Sequence, residues 1–119
     1  ITINYDQEYT DFCKTFRLLE LALQEKAFAF PNKKRDKLVT GFAVYHFEAI
    51  SVGLQSQLKN LDPDNSNDVA RLQEILLEIK LSEEFHGLTA GGGRNAGSKL
   101  RSRISYVETH LRTLDEVRE

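Results

Sequence analysis

Four stretches of this chain return apolar residues at steps of three and four, the spacing that lines one face of a helix. Two-residue alternation is confined to Ile1–Tyr5, too short for an independent strand. The core is therefore expected to form from helix faces. In the first stretch Tyr9, Phe12, Cys13, Phe16, Leu19, Leu23 and Ala27 share a face behind Asp6, a residue suited to capping. That helix is expected to stop before Pro31, because proline pushes the preceding residue out of helical geometry.

A second helix is expected to start after Asn32 and to carry a broad apolar band, Leu38, Val39, Phe42, Tyr45, Phe47, Ala49, Ile50, Leu54 and Leu58. Gly41 and Gly53 inside it cost about 1 kcal/mol each against alanine, which points to close helix contacts at those positions. The run Asp62, Pro63, Asp64, Asn65, Ser66, Asn67 reads as a loop. A third helix follows with Val69, Leu72, Ile75, Leu76 and Ile79 on one face. Ser82 is expected to cap a short extra turn of Glu83, Glu84 and Phe85, closed by Gly87. Ser98 is expected to cap the last helix, whose Leu100, Ile104, Val107, Leu111 and Leu114 form a bundle stripe. The expected fold class is all-α: a compact bundle of four main helices plus one short helix, with no sheet.

At 119 residues the chain holds one core, so residues 1–119 are expected to be a single domain. A composition of 40% hydrophobic and 29% charged residues fits neither a disordered tract nor a membrane protein. No apolar run approaches the roughly 20 residues that span a bilayer, and the N-terminus lacks the basic and apolar regions of a secretory signal. One cysteine, Cys13, cannot make an intramolecular disulfide or a cysteine zinc site; it fits a reducing cytoplasm and is expected to be a small buried hydrophobe. The absence of methionine, even at position 1, suggests a fragment or C-terminal module of something longer.

The net charge of -2 excludes a surface coated with phosphate-binding charge, yet two patches are basic: Lys33, Lys34, Arg35 and Lys37, and the segment from Arg94 to Arg103. The second follows a glycine cluster in TAGGGRNAGSKLRSR, Thr89 to Arg103, and has the ingredients of an anion cradle at a helix N-terminus. It departs from a Walker-type phosphate loop, since serine precedes lysine at Ser98 and Lys99 and no strand leads in. An auxiliary contact to phosphate or nucleic acid through Arg94, Ser98, Lys99, Arg101 and Arg103 is what remains of that reading, against a solvated surface connection.

Other candidate chemistry is sparse. Arg103 and His110, seven residues apart on the last helix, resemble the arginine-to-histidine motif of HEPN ribonucleases, which would make both catalytic in metal-independent RNA cleavage; Ile104 stands where that motif has a polar residue. The plainer alternative has Arg103 pairing with a carboxylate or bracing a loop, and His110 at a rim. Glu83 and His86 have the offset of a di-iron ligand pair, but no second pair exists and a metal site is rejected. His46 is expected to be a satisfied core or interface residue, and no catalytic triad can be picked out. No cofactor is called for.

Phe85, the glycine-rich loop ending in Gly97, Ser98 and Lys99, then Arg103 and Ile104, resemble the C-terminal helical region of the GmrSD-type, ParB-like nucleotidase family, which includes modification-dependent restriction systems against phage. Phe42, Phe47, Glu48, Ala49 and Ile50 are similar to an aromatic-rich helix of that region. In that family the catalytic Asp-Gly-Gln-Gln-Arg type motif lies in an N-terminal domain, and neither it nor a His-Asn-His nuclease domain occurs here. The resemblance thus implies a non-catalytic accessory module that packs on the catalytic domain of the same protein or touches DNA. Ser98, Lys99 and Arg103 are the matched positions, with a structural or nucleic-acid-contacting role. The competing expectations are the HEPN-like ribonuclease and a pure protein-interaction domain.

Overall fold

The computed structural model describes residues 4–27, 29–31, 38–39, 44–89 and 97–114. Asn4 opens helix α1 (Tyr5–Leu23), its Oδ1 accepting from the Gln7 amide at 3.1 Å. The cap thus lies two residues before Asp6, which sits in the first turn with Glu8, where negative charge suits the helix dipole. The end of α1 is set by Gln24, whose φ of 55° breaks the helical path well before Pro31. A 3₁₀ turn over Gln24–Lys26 leads on.

Two residues of strand follow on either side of a stretch outside the described residues: β1 (Phe30–Pro31) pairs antiparallel with β2 (Leu38–Val39), Phe30 opposite Val39 and Pro31 opposite Leu38. Leu38 and Val39 therefore do not belong to the second helix. The β-branched Val39 and Thr40, followed by Gly41, weaken any helix there, and proline is tolerated in β1 because both strands of a two-stranded ladder are edges. Among the described residues this pair is the whole of the β-structure, and the fold is an all-α bundle. Its radius of gyration, 14.3 Å, is close to the about 13.5 Å expected of a compact chain of this length.

Helix α2 (Val44–Gly53) buries His46, Ala49, Ile50 and Gly53, then tightens into a 3₁₀ segment, Leu54–Asn60, that buries Leu54, Gln57 and Leu58. Helix α3 (Ser66–Leu81) is capped by Asn65, which accepts from the amides of Asn67 and Asp68 at 2.9 and 3.1 Å. Its Leu72, Leu76 and Ile79 enter the core, with Val69 and Ile75 packed at the edge, as the periodicity requires. Ser82 caps α4 (Glu83–Thr89), its Oγ accepting from the Phe85 amide at 3.0 Å. Gly87 does not close α4; the helix runs through it to Thr89, and a methyl group there would meet nothing within 4 Å. Helix α5 (Gly97–Leu111) begins at Gly97, so Ser98 lies inside its first turn rather than ahead of it. Of its expected stripe Val107, Leu111 and Leu114 are fully buried, while Leu100 and Ile104 are half-buried.

Two expectations for α1 are corrected. Leu18, Leu19, Ala22 and Leu23 enter the core, whereas Tyr5, Tyr9 and Phe12 stand 74%, 70% and 60% exposed. Cys13 is exposed as well. The first half of α1 carries its apolar face beyond the edge of the bundle. Gly41, the basic cluster Lys33 to Lys37 and the glycine cluster Gly91 to Gly93 lie outside the described residues.

Gly53 is where α2 and α5 touch: a β-carbon there would sit 2.7 Å from Val107 Cγ1 and 2.9 Å from Val107 Cβ. Gly53→Ala should therefore destabilise the fold by about 1–3 kcal/mol, overpacking outweighing the gain in helix propensity. Urea denaturation checks this. The cost should shrink when Val107→Ala is present, whereas equal costs in both backgrounds would contradict the close approach.

Candidate functional site

Arg103 faces inward from α5 and is 1% exposed. A guanidinium buried without partners is costly, and the neighbouring helices supply them. Its Nη2 donates to Glu48 Oε1 of α2 at 2.9 Å, and its Nη1 to the Leu88 carbonyl of α4 at 3.3 Å. The guanidinium carbon lies 4.3 Å from the Tyr45 ring centroid, in cation–π contact. Glu48 stays about a third exposed, its side chain at 34%, which keeps the carboxylate partly hydrated. Arg103 therefore pairs with a carboxylate and braces the end of α4, and its burial leaves it no surface to offer a phosphate.

A second polar group is buried one layer away. Lys80 of α3 is 0% exposed, and its Nζ donates to the Ala29 carbonyl at 2.8 Å and to His46 Nδ1 at 3.1 Å. With Lys80 donating, Nδ1 is the acceptor and the imidazole is neutral. Burial, then the Lys80 charge, then His86, hold the His46 pKa down at about 3. Burial alone lowers Lys80 to about 7. Both of its partners are uncharged, so only its hydrogen bonds offset the desolvation of the ammonium. The His46 ring meets Phe85 edge-on at 4.8 Å; Phe85 stacks on Tyr106 at 5.7 Å, and Tyr106 lies 4.2 Å from the ring of His110. Tyr106 also donates to Ser82 Oγ at 2.9 Å, tying α5 to the cap of α4.

The remaining candidates are scattered. His110 is half-buried with Nδ1 2.9 Å from the Tyr106 carbonyl, so Arg103 and His110 present no joint face to solvent. Lys99 and Arg101 are exposed on the first turns of α5. Arg94 and the Ser98 side chain lie outside the described residues. Glu83 is exposed and His86 half-buried, and among the described residues no group of three His, Cys, Asp or Glu side chains is placed to hold a metal. No helix among the described residues is long and apolar enough to cross a membrane.

Glu48 also borders an open groove. The groove, of about 510 Å³, runs between α1 and α2, floored by Phe12, Phe16, Phe47, Val44 and Val52 and bordered by Glu8, Asp11 and Glu48. Phe12 and Phe16 are 4.7 Å apart between ring centroids, and Phe16 stacks on Phe47 at 6.1 Å. Periodicity places Phe12 and Phe16 on the apolar face of α1 and Phe47 in the band of α2, but it omits Val44 and Val52 and holds no signal that these faces stay open. Lys80 was missed outright, although its place one residue after Ile79 and four after Leu76 puts it on the buried stripe. Comparison with protein-family models, with curated proteins and with solved structures finds no match to this chain.

Lys80 and His46 give stability a defined pH dependence. An unfolded lysine keeps its proton to about pH 10.4, whereas folded Lys80 loses it near 7. Between those values the unfolded state binds more protons, so stability should rise with pH, by at most about 1.4 kcal/mol per unit. His46 acts in the same sense between about pH 3 and its ordinary 6.5, so acidification through that range should cost further stability. Urea denaturation at pH 7 and pH 9 should show wild type gaining and Lys80→Met flat; parallel behaviour of the two would contradict the assignment.

Proposed function

We propose that the chain is a non-catalytic helical accessory module of a restriction-type phage-defence protein, docking on a neighbouring domain through the groove between α1 and α2. The observation that carries this is the division of the surface. The charged and titratable side chains that suggest chemistry, Arg103, Lys80 and His46, are buried in contacts with their own fold, while Tyr5, Tyr9, Phe12, Val44 and Val52 are turned outward. Exposed clusters of large apolar side chains are the usual mark of an interaction site.

The resemblance to the GmrSD-type family is consistent with a structural role for the shared residues. Glu48, from the aromatic-rich helix, and Arg103, from the C-terminal motif, are paired with each other. An exposed free thiol at Cys13 suits the reducing cytoplasm in which such a protein works. A second contact, to nucleic acid, is favoured by the exposure of Lys99 and Arg101 where the basic segment enters α5.

Nile red, a neutral dye that brightens in apolar surroundings, tests the docking face directly. The folded chain should enhance its fluorescence, and Phe12→Asp or Val44→Asp should reduce the enhancement several-fold with circular dichroism unchanged. Equal enhancement by wild type and both variants would remove the groove as the docking face. In the same samples, retention of duplex DNA that weakens when Arg94, Lys99 and Arg101 are replaced by alanine marks the nucleic-acid contact, and equal retention removes it.

A further inference from the structure

Tyr5, Tyr9, Phe12 and Phe16 follow one another at steps of four, three and four. That is the d, a, d, a register of a coiled-coil seam. The first three are exposed, and Phe16 is half-buried where the seam enters the bundle. A seam of large aromatics open to water is half of a helix pair. Across the groove α2 contributes Val44 and Val52, exposed and eight residues apart, so both walls offer apolar side chains at helical spacing.

We infer that this groove binds an amphipathic helix whose apolar stripe is flanked by lysine or arginine. The inference rests on the docking reading above and names the chemistry of the partner. In the register set by the seam, Asp6 and Glu8 occupy the flanking e and g positions, which choose partners by charge. Asp11 borders the groove as well, its Oδ1 accepting from Gln7 Nε2 at 2.8 Å. Glu48, the remaining acid on the rim, is paired with Arg103. The basic residues of this half of α1 point elsewhere: Lys14 falls at the outer f position, and Arg17 pairs with Asp64 at 2.6 Å. The edge met by an incoming helix is therefore acidic.

The same charges argue against the simplest alternative, a second copy of the chain. Pairing α1 with α1 in antiparallel sets acid against acid at the flanking positions, which is destabilising, and pairing them in parallel sets Glu8 against the uncharged Cys13, so neither orientation supplies an opposite charge. A compact apolar molecule fits the groove volume but leaves Tyr5 and Tyr9 uncovered, whereas a helix laid along α1 covers both through contacts three and four residues apart.

Two synthetic peptides of about three heptads, with leucine at a and d and either lysine or glutamate at e and g, separate these possibilities. Each is titrated into the intact chain by isothermal calorimetry. The lysine peptide should bind at least about tenfold tighter than the glutamate peptide at low salt. Phe12→Asp should abolish binding of both, and Asp6→Lys with Glu8→Lys should reverse the preference, Glu8→Lys alone serving if the double variant folds poorly. Equal binding of the two peptides, lost in Phe12→Asp, overturns the charge class while the docking face stands. Binding of neither peptide by a chain that still brightens Nile red overturns the helical partner. Self-association in sedimentation that Phe12→Asp abolishes makes a second copy the occupant and overturns the inference.

Discussion

Among the described residues Arg103 is the largest side chain fully withdrawn from water, and the bundle is arranged around making that tolerable. Its charge is met by Glu48 of α2, by the Leu88 carbonyl of α4 and by the face of Tyr45, so burying one residue of α5 ties three helices together. Removing one partner from a fully buried pair costs about 3–5 kcal/mol, because the other charge is left stranded. The partial exposure of Glu48 places this pair toward the lower end. About one turn further along both helices, Gly53 packs against the Val107 side chain with no room for a β-carbon. Apolar stripes alone can slide past one another. A guanidinium that must reach a carboxylate, beside a glycine that admits one valine, sets the register of α2 against α5.

Among the described residues Arg103, Lys80 and His46 all face inward. Lys80 and His46 are hydrogen-bonded to each other and capped by the aromatic row of Phe85, Tyr106 and His110, and Ser82 caps α4 while accepting from Tyr106. What faces outward between α1 and α2 is aromatic and aliphatic with an acidic border. A surface of that composition is suited to holding another helix, which is what the accessory role proposed above requires of it.

Much of the architecture was legible because helical periodicity and capping are local. The stripes of α3 and α5, the loop before α3 and the cap at Ser82 all follow from residues within one or two turns of each other. The failures have physical causes. Nothing near Gln24 signals a positive φ, so the spacing carries the helix on to Ala27, although it ends, as expected, before Pro31. Leu38 and Val39 matched the helical spacing while belonging to a strand pair whose other half lies at Phe30 and Pro31. The partner of Arg103 lies 55 residues away, and no local pattern reports such a meeting. The apolar face of α1 was read correctly as a face, yet periodicity cannot say whether anything covers it, and so Cys13, Tyr9 and Phe12 were expected inside.

A double-mutant cycle on Glu48 and Arg103 tests most directly whether Arg103 is a strut. Unfolding free energies from urea titration are compared for wild type, Glu48→Gln, Arg103→Met and the double variant. If the pair holds α2 to α5, each single change destabilises the fold and the double variant costs less than the sum of the singles by about 1–3 kcal/mol. Strictly additive effects, or a neutral Arg103→Met, would contradict that role and leave the orientation of α5 unexplained.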